Sequence, residues 1–320
     1  MWLIIGRTYN KMSIDVYFLI LPNMMMLDII GPSETLQLAS DHFKIHYVSP
    51  KQSVSCSTGM MIGDLKSLPE TLSKGSLLVL PGVINSQVDF GTEEALIALE
   101  WLKGWREKVS CRELRIVCIC SGALLAARAG LLDGIQCTTH HDILDRLRTL
   151  APAALVKENC IFIEDKGVCT CAGIMAGVDL ALHLVHRLCS PQEAMRVARE
   201  MLVYFPRAGN DMQMSPWLIF RHHHHPVIHR AQDIIAISPE KNRSIEELAA
   251  LIHVSPRHLS RLFRQYLGIS VREFHEQMRL VLAQQYIQSG MGIEKAALVA
   301  GFSSSRQLRR AEKRAGASGD

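Results

Sequence analysis

Ser244-Ile-Glu-Glu-Leu-Ala-Ala-Leu-Ile-His-Val-Ser-Pro-Arg-His-Leu-Ser-Arg-Leu-Phe-Arg-Gln-Tyr-Leu-Gly268 reads as two short helices joined by a tight turn. Ser244 and Glu247 have capping-box spacing, in which each side chain satisfies an orphan N–H at the helix start. Ile245, Leu248, Ala249 and Ile252 recur every three or four residues and give the first helix one apolar face. Val254 falls in the turn. Ser255 is an N-cap with Pro256 at the first helical position, and Gly268 is placed to close the second helix. That helix is expected to bury Leu259, Leu262, Phe263 and Tyr266, and to turn Arg257, His258, Ser260, Arg261 and Arg264 outward. A short capped helix with an arginine-rich face, braced by a shorter one, fits a DNA major groove. A helical hairpin with a solvated basic face has the same pattern, and two helices alone do not separate these readings.

The pattern recurs. Ile293-Glu-Lys-Ala-Ala-Leu-Val-Ala-Gly-Phe-Ser303 repeats the first helix, turn and cap, with Ile245 matched to Ile293, Ala249 to Ala297 and Ser255 to Ser303. A second basic helix follows, with Ser304, Arg306, Gln307, Arg309 and Arg310 as candidate DNA contacts and Lys313 and Arg314 beyond them. Ser270 and Glu273 form another capping box and open a helix to about Ser289, roughly 28 Å long at 1.5 Å per residue. The two basic helices could therefore enter major-groove segments about one DNA turn, ~34 Å, apart. This arrangement, with Ala-Gly-Phe-Ser-Ser at 300–304, resembles the AraC-type family of transcriptional regulators over Val227 to Arg314. One departure stands out: matching Leu259 with Leu308 puts Glu312 opposite Phe263, where that family has an aromatic core residue. The chain also stops at Asp320, a few residues on, and both features predict looser packing of the second unit.

The 320 residues suggest two domains, and 48% hydrophobic with 21% charged residues is an ordinary globular composition. Val227–Asp320 carries 14 Lys and Arg against 9 Asp and Glu, while the rest carries 21 against 22. The basic excess thus sits entirely in the helical C-terminal region, as a nucleic-acid footprint should. Nine cysteines, an odd number scattered through apolar segments, read as reduced cytosolic thiols. Trp2–Ile5 is too short for a signal-peptide core, Met12 is a candidate alternative start, and no run reaches the ~18 apolar residues of a membrane span. A soluble, cytoplasmic protein is expected.

In the N-terminal part, Ser13–Leu21, Phe43–Val48, Leu77–Leu80, Leu114–Ile119, Leu155–Ile163 and Val168–Cys171 read as strands. Helical patterns fall between them: around Leu27–Leu38 with an interruption at Gly31-Pro32, then Ala95–Lys108, Ser121–Ala129 and Ile174–Leu188, with another capped start at Ser190. Alternation of this kind predicts an α/β fold, a flavodoxin-like, mostly parallel sheet sandwiched by helices, followed by the all-α region. Such sheets bind ligands at the carboxyl ends of their strands. Two stretches fall there: Pro81-Gly82, and Cys120-Ser-Gly-Ala123, where a strand runs straight into a helix. A thiol facing a helix N-terminus is expected to have a lowered pKa. The small residues Ser121 and Gly122 let a ligand approach backbone N–H groups.

Leu27-Asp-Ile-Ile-Gly-Pro32, Leu80-Pro-Gly82, the run Cys120–Gly134, Thr138-Thr-His140 and Ala172-Gly-Ile-Met-Ala-Gly177 resemble the PfpI-like branch of the class I glutamine-amidotransferase-like superfamily over residues 13–190. The resemblance makes Cys120 the elbow position, with the acidic position of Asp28 close to it. Peptidase-like members place His directly after the Cys; Ser121 stands here, which argues against a hydrolytic pair. Isocyanide hydratases of the superfamily pair an Asp with the Cys and keep an enzymatic reading open. The two resemblances together point to GlxA-like regulators with an N-terminal sensor. They imply a small nitrogenous effector, such as an amino acid or betaine, bound by Asp28, Gly82, Cys120, Ser121, Gly122, His140 and Gly173. Cys120 is then a vestigial nucleophile, and no cofactor or metal is expected.

The expected division is a sensor domain at 13–205, a linker at 206–226 and a DNA-binding domain at 227–320, with helix-turn-helix units at about 244–268 and 293–316. His222 to His225 reads as linker rather than a metal site, since consecutive residues do not converge on one ion without further ligands. Cys118, Cys120, Cys169 and Cys171 would cluster if their strands were adjacent, although core packing is favoured. The Met24–Met26 triplet reads as core or pocket lining, and His141 as core or pocket, at a position where the family has Trp. Leu180–Leu188, with Asp179 and His183 on its surface, resembles the helix these relatives use to form homodimers. The expected partners are double-stranded DNA, a small-molecule effector and a second copy of the chain, with no membrane.

Overall fold

The computed structural model describes residues 13–83, 91–204, 206–288 and 290–317, so Trp2–Ile5, Met12 and Ser289 lie outside the described residues. Contacts divide the chain into two units, Met1–Gln213 and Met214–Asp320. Each has its own core.

The first unit is built on a six-stranded sheet in the spatial order Phe43–Val48, Ile14–Leu19, Leu77–Leu80, Arg115–Ile119, Val168–Cys171, Phe162–Asp165. All neighbours are parallel except the last pair. Leu77–Leu80 and Ile116–Ile119 are buried throughout, as parallel strands covered on both faces must be. The central parallel strands end side by side, which brings Pro81-Gly82, Cys120 and Ala172-Gly173 to one edge of the sheet. The expected strand 155–163 is two pieces: Leu155–Val156 pairs with Gln136–Cys137 in a separate ribbon, and Phe162–Asp165 joins the main sheet.

Met26–Gln37 is one continuous helix, with Pro32 inside it rather than a break. The reason is packing against the helix Met175–Leu188. A Cβ on Gly31 would meet Val178 at 3.0 Å, and one on Gly177 would meet Pro32 at 3.1 Å, so the two helices cross closely at small residues. The register sets Cys118 opposite Thr170, not opposite Cys169 or Cys171. Because successive side chains alternate between faces, Cys118 and the Cys169/Cys171 pair point to opposite sides of the sheet, and the four sulfurs do not cluster. No two of the nine cysteines form a disulfide. Asp179, expected on the helix surface, is buried and holds Arg207, while His183 is half-buried against Glu164 at 2.7 Å.

The stretch 206–226 is divided between the units. Phe162 N–H donates to the Gly209 carbonyl at 3.0 Å, and Gln213 Nε2 donates to the Thr139 and Cys160 carbonyls, both at 2.8 Å. Pro216–Ile219 is a short helix of the second unit, whose Phe220 carbonyl accepts from Gln232 at 2.7 Å. His223 is buried and its ring packs on His229, 4.6 Å between centroids.

In the second unit both capping boxes form: Ser244 with Glu247, and Ser270 with Glu273. Helices span Pro226–Ile237, Ile245–Leu251, Pro256–Leu267, Val271–Gln288, Ile293–Val299 and Ser305–Ala317. One apolar core lies under the first helix-turn-helix (Leu248, Leu259, Phe263, Phe274), and a second, smaller core under the other (Ala297, Phe302, Leu308, Ala311). Tyr266 is not in the first core. It is 40% exposed and lies against the His225 ring at 5.0 Å. No helix among the described residues is long and apolar enough to cross a membrane.

Candidate effector pocket and nucleic-acid interface

The backbone turns from strand to helix through Cys120, whose φ of 52° lies in the left-handed region that non-glycine residues rarely adopt. Its conformation is held from three sides. Cys120 N–H donates to the Cys171 carbonyl at 3.1 Å, and Thr139 Oγ1 donates to the Cys120 carbonyl at 2.8 Å. Neighbouring backbone fills the remaining space. A Cβ on Gly173, itself at φ +95°, would stand 2.3 Å from the Cys120 Cβ, and one on Gly82 would stand 2.6 Å from an Asp28 oxygen. Gly122 opens the following helix against the Leu80 carbonyl.

Asp28 lies fully buried beneath the turn. Its Oδ1 accepts from Ile174 N–H at 2.6 Å and its Oδ2 from Gly82 N–H at 3.2 Å, so one carboxylate ties two strand ends to a helix. Burial pushes its pKa up to about 6, against the pull of the Ile174 and Gly82 N–H groups and of the Cys120 thiol. The thiol itself is pushed up to about 12, first by burial and then by the Asp28 charge; the Ser121 N–H pulls the other way and is outweighed. The expected lowering at the helix N-terminus is therefore reversed. At neutral pH Cys120 is a thiol, not a thiolate.

Ser121 is buried and committed to structure. Its Oγ accepts from Val83 N–H at 2.8 Å and donates to the Val83 carbonyl at 3.2 Å. His140 stands one residue from Thr139, half-buried, with its ring 4.3 Å from that of His141 and its Nδ1 accepting from Asp142 N–H at 3.4 Å. Burial, then the neighbouring His141, holds its pKa below the usual range. His140, His141 and Asp142 bring their ligand atoms within 4.8 Å of one another; among the described residues no other three potential metal ligands converge, and the run at 222–225 does not.

On the second unit, Arg257, Arg261 and Arg264 are exposed along the helix Pro256–Leu267, capped by Ser255, whose Oγ accepts from His258 N–H at 3.2 Å. His258 Nδ1 lies 3.2 Å from Arg261, and Ser260 Oγ turns back onto the Pro256 carbonyl at 2.9 Å. Arg264 is drawn toward Glu273 at 3.5 Å and the Gly268 carbonyl at 3.3 Å. On the second basic helix Arg306, Arg309 and Arg310 are exposed. Gln307 folds back so that its Oε1 accepts from Ser303 N–H at 2.6 Å, and the helix is capped by Ser304 rather than Ser303. The second repeat thus carries one extra residue in its turn, after Phe302. The linking helix Val271–Gln288 is pinned at its middle. His275 Nε2 lies 2.8 Å from the Pro239 carbonyl, which also accepts from Arg279 Nε at 2.8 Å.

Residues 14–187 match the DJ-1/PfpI family, and residues 248–316 match a helix-turn-helix domain. The chain belongs to the DJ-1/PfpI family. It is 28% identical over 305 residues to the HTH-type transcriptional regulator CdhR of Pseudomonas aeruginosa, covering 92% of this chain and 86% of that protein. It is 30% identical over 208 residues to the HTH-type transcriptional regulator GlxA of Rhizobium meliloti, 63% of this chain and 62% of that one. The crystal structure of an AraC family transcriptional regulator from Pseudomonas putida superposes with a TM-score of 0.51 at 21% identity, covering 59% of this chain and all of the other, which shows the shared fold. A DJ-1/PfpI domain followed by a helix-turn-helix domain makes this chain a DNA-binding transcriptional regulator.

Within the DJ-1/PfpI domain the structure packs Gly82 against Asp28, Cys120 and Ser121, and Gly173 against Cys120; Gly122 faces the Leu80 carbonyl, and His140 is joined to the group through Thr139. Two groups that shape the elbow escaped sequence reasoning. Thr139 lies inside the quoted Thr138-Thr-His140 motif, so its hydroxyl was available as a signal. The Ile174 N–H was not, because Ile174 contributes only its backbone, turned toward Asp28 by a φ of 50°.

Proposed function

We propose that the DJ-1/PfpI domain senses a small nitrogenous metabolite, such as an amino acid or a betaine, through its cationic nitrogen in the elbow around Cys120, and that the protein works as a cytoplasmic homodimer on double-stranded DNA. The observation that supports this reading is the elbow's charge. The buried Asp28 carboxylate is held against the turn by the Gly82 and Ile174 N–H groups and Asp142 stands against His140, so the field of two acidic groups acts on a thiol that both keep protonated. That field attracts an ammonium group and leaves the thiol a poor nucleophile. Nine cysteines, none of them in a disulfide, fit a reducing compartment. The exposed Arg257 and Arg261 on the first basic helix, and Arg306, Arg309 and Arg310 on the second, would make the DNA contacts.

Binding of the full-length protein to random-sequence duplexes, repeated with and without glycine betaine and a panel of amino acids, tests the proposal. Enrichment of a site of about two helical turns, with affinity moved by one of these zwitterions, is the expected result, together with a steep salt dependence. If only metabolites without a cationic nitrogen move it, the assignment fails. The second reading, a Cys120-dependent hydratase, draws on the Asp28 carboxylate against the thiol and is separated by the reactivity measurement developed in the Discussion.

A further inference from the structure

Away from the elbow, the DJ-1/PfpI domain holds a cleft of about 810 Å³ between the helices Met175–Leu188 and Pro191–Glu200 and residues 202–204 and 206–209. That volume is in the range of small-molecule sites, and no elbow residue lines it. Its floor is apolar, with Leu182, Ala194, Ala198 and Phe162. Its rim keeps large apolar side chains in water although they line a concavity: Met195 is 65% exposed, Leu202 74% and Tyr204 84%. Contiguous exposed apolar surface of this kind marks a place where something binds.

The charges at the cleft choose what binds. Its lining includes three arginines, Arg187, Arg199 and Arg207, and one carboxylate, Asp179. Asp179 is already spent, since Arg207 donates to it from its backbone N–H at 2.9 Å, from Nε at 2.8 Å and from its terminal nitrogen at 2.7 Å. Arg187 is 60% exposed, with only the more distant Glu164 behind it at 3.7 Å, and that carboxylate is shared with His183. Arg199 is exposed and has no ion-pair partner among the described residues. Arg199, together with Arg187 held only at a distance by Glu164, sets guanidinium groups over an apolar floor that complement an anionic head on an apolar body.

We infer that this cleft is a second ligand site, distinct from the elbow, that takes an amphipathic carboxylate with an alkyl chain or an aryl body. The helix Met175–Leu188 joins the two sites. Its entrance holds Asp28 through Ile174 N–H, and its second half supplies Leu182, His183, His186 and Arg187 to the cleft. Occupancy of one site therefore acts on the element that shapes the other.

The test uses the full-length protein and 1-anilinonaphthalene-8-sulfonate, itself an aromatic anion, as the fluorescent probe. Saturable binding of one probe per chain is expected, with displacement by decanoate and little by decylamine of the same chain length. Reversing the rim charge in Arg187→Glu/Arg199→Glu should weaken probe and decanoate at least tenfold, and the independent Met195→Trp should block both by filling the mouth. Glycine betaine, a proposed occupant of the elbow, should not compete with the probe for this cleft, which keeps the site separable from the effector proposal. Equal displacement by decylamine, or unchanged affinity in both rim variants, overturns the inference. So does loss of probe binding that tracks dimer formation as protein concentration rises, because the occupant is then a second copy of the chain.

Discussion

The protonation state of Cys120 decides whether the elbow does chemistry, and it is directly measurable. Its pKa of about 12, against the ordinary thiol value of 9.0, leaves about 10³-fold less thiolate at pH 8 than an unperturbed cysteine has. Only the thiolate alkylates at a useful rate. With iodoacetamide and peptide-resolved mass spectrometry, the exposed Cys111 serves as a reference thiol in the same molecule. Cys120 should label on the order of 10³-fold more slowly at pH 8. Poor access to a side chain that is 9% exposed would also slow it, so the shape of the pH profile is the sharper readout. The rate should climb tenfold per pH unit from pH 7 to pH 11 without levelling. Replacing Asp28 with Asn removes the second of the two main causes and leaves burial, the larger one, in place. The plateau should then move below about 12 and stay above 9.0. A wild-type profile that levels off between pH 7 and pH 9 would refute this reasoning and revive the nucleophilic reading.

Asp28 should also leave a mark on stability. Its folded-state pKa of about 6 lies above the ordinary 3.8, so between those values the folded chain holds a proton that the unfolded chain has lost. Its contribution favours folding below pH 3.8 and is lost as pH rises through 6, a swing of ~3 kcal/mol. Urea titrations of wild type and Asp28→Asn at pH 4 and pH 7 should differ in pH dependence by about that amount; parallel curves contradict the assignment. On the DNA side, Arg257→Ala or Arg261→Ala should each cost ~1–3 kcal/mol of site-specific affinity if the side chain reads a guanine. Arg264→Ala should cost less, because that arginine is already engaged by Glu273 and Gly268; a footprinting titration that ranks Arg264 first reverses this order. Phe302→Ala, in the smaller core, should destabilise the second helix-turn-helix by ~3–5 kcal/mol. Contacts of the first helix-turn-helix on half of the operator should survive, and their equal loss would show that the two helix-turn-helices do not act separately.

Much of this architecture was legible from residue types because the devices are local. The two capping boxes, Pro256 at its first helical position and Gly268 at its helix end each act over four residues or fewer, and all form as read. The strand Phe43–Val48 and the strand Leu77–Leu80 likewise match their apolar runs. What failed to show was whatever depended on distant parts of the chain. Pro32 stays inside a helix because Gly177, far along the chain, allows the close crossing. Tyr266 fits the apolar stripe of its helix, yet its ring meets His225 from the stretch expected as linker. The Cys120 pKa went the wrong way because a motif shows the helix N-terminus but not the depth of burial. Glu312, matched to the fully buried Phe263, is half-exposed beside a core that closes with Leu308 and Ala311 instead.

The pin between Pro239 and the middle of Val271–Gln288 has a consequence for the DNA rather than the protein. A continuous helix fixes rotational phase as firmly as distance, since each residue added to it turns everything beyond by about 100°. With His275 and Arg279 both anchored on the Pro239 carbonyl, the spacing between the two reading helices has no slack to give. The operator must supply the tolerance. Base substitutions within either half should trade affinity gradually, whereas a single base pair inserted between the halves should abolish simultaneous engagement. On the proposed bipartite contact, the chain would measure its operator with a ruler of fixed length, and the genome could vary the letters but not the gap.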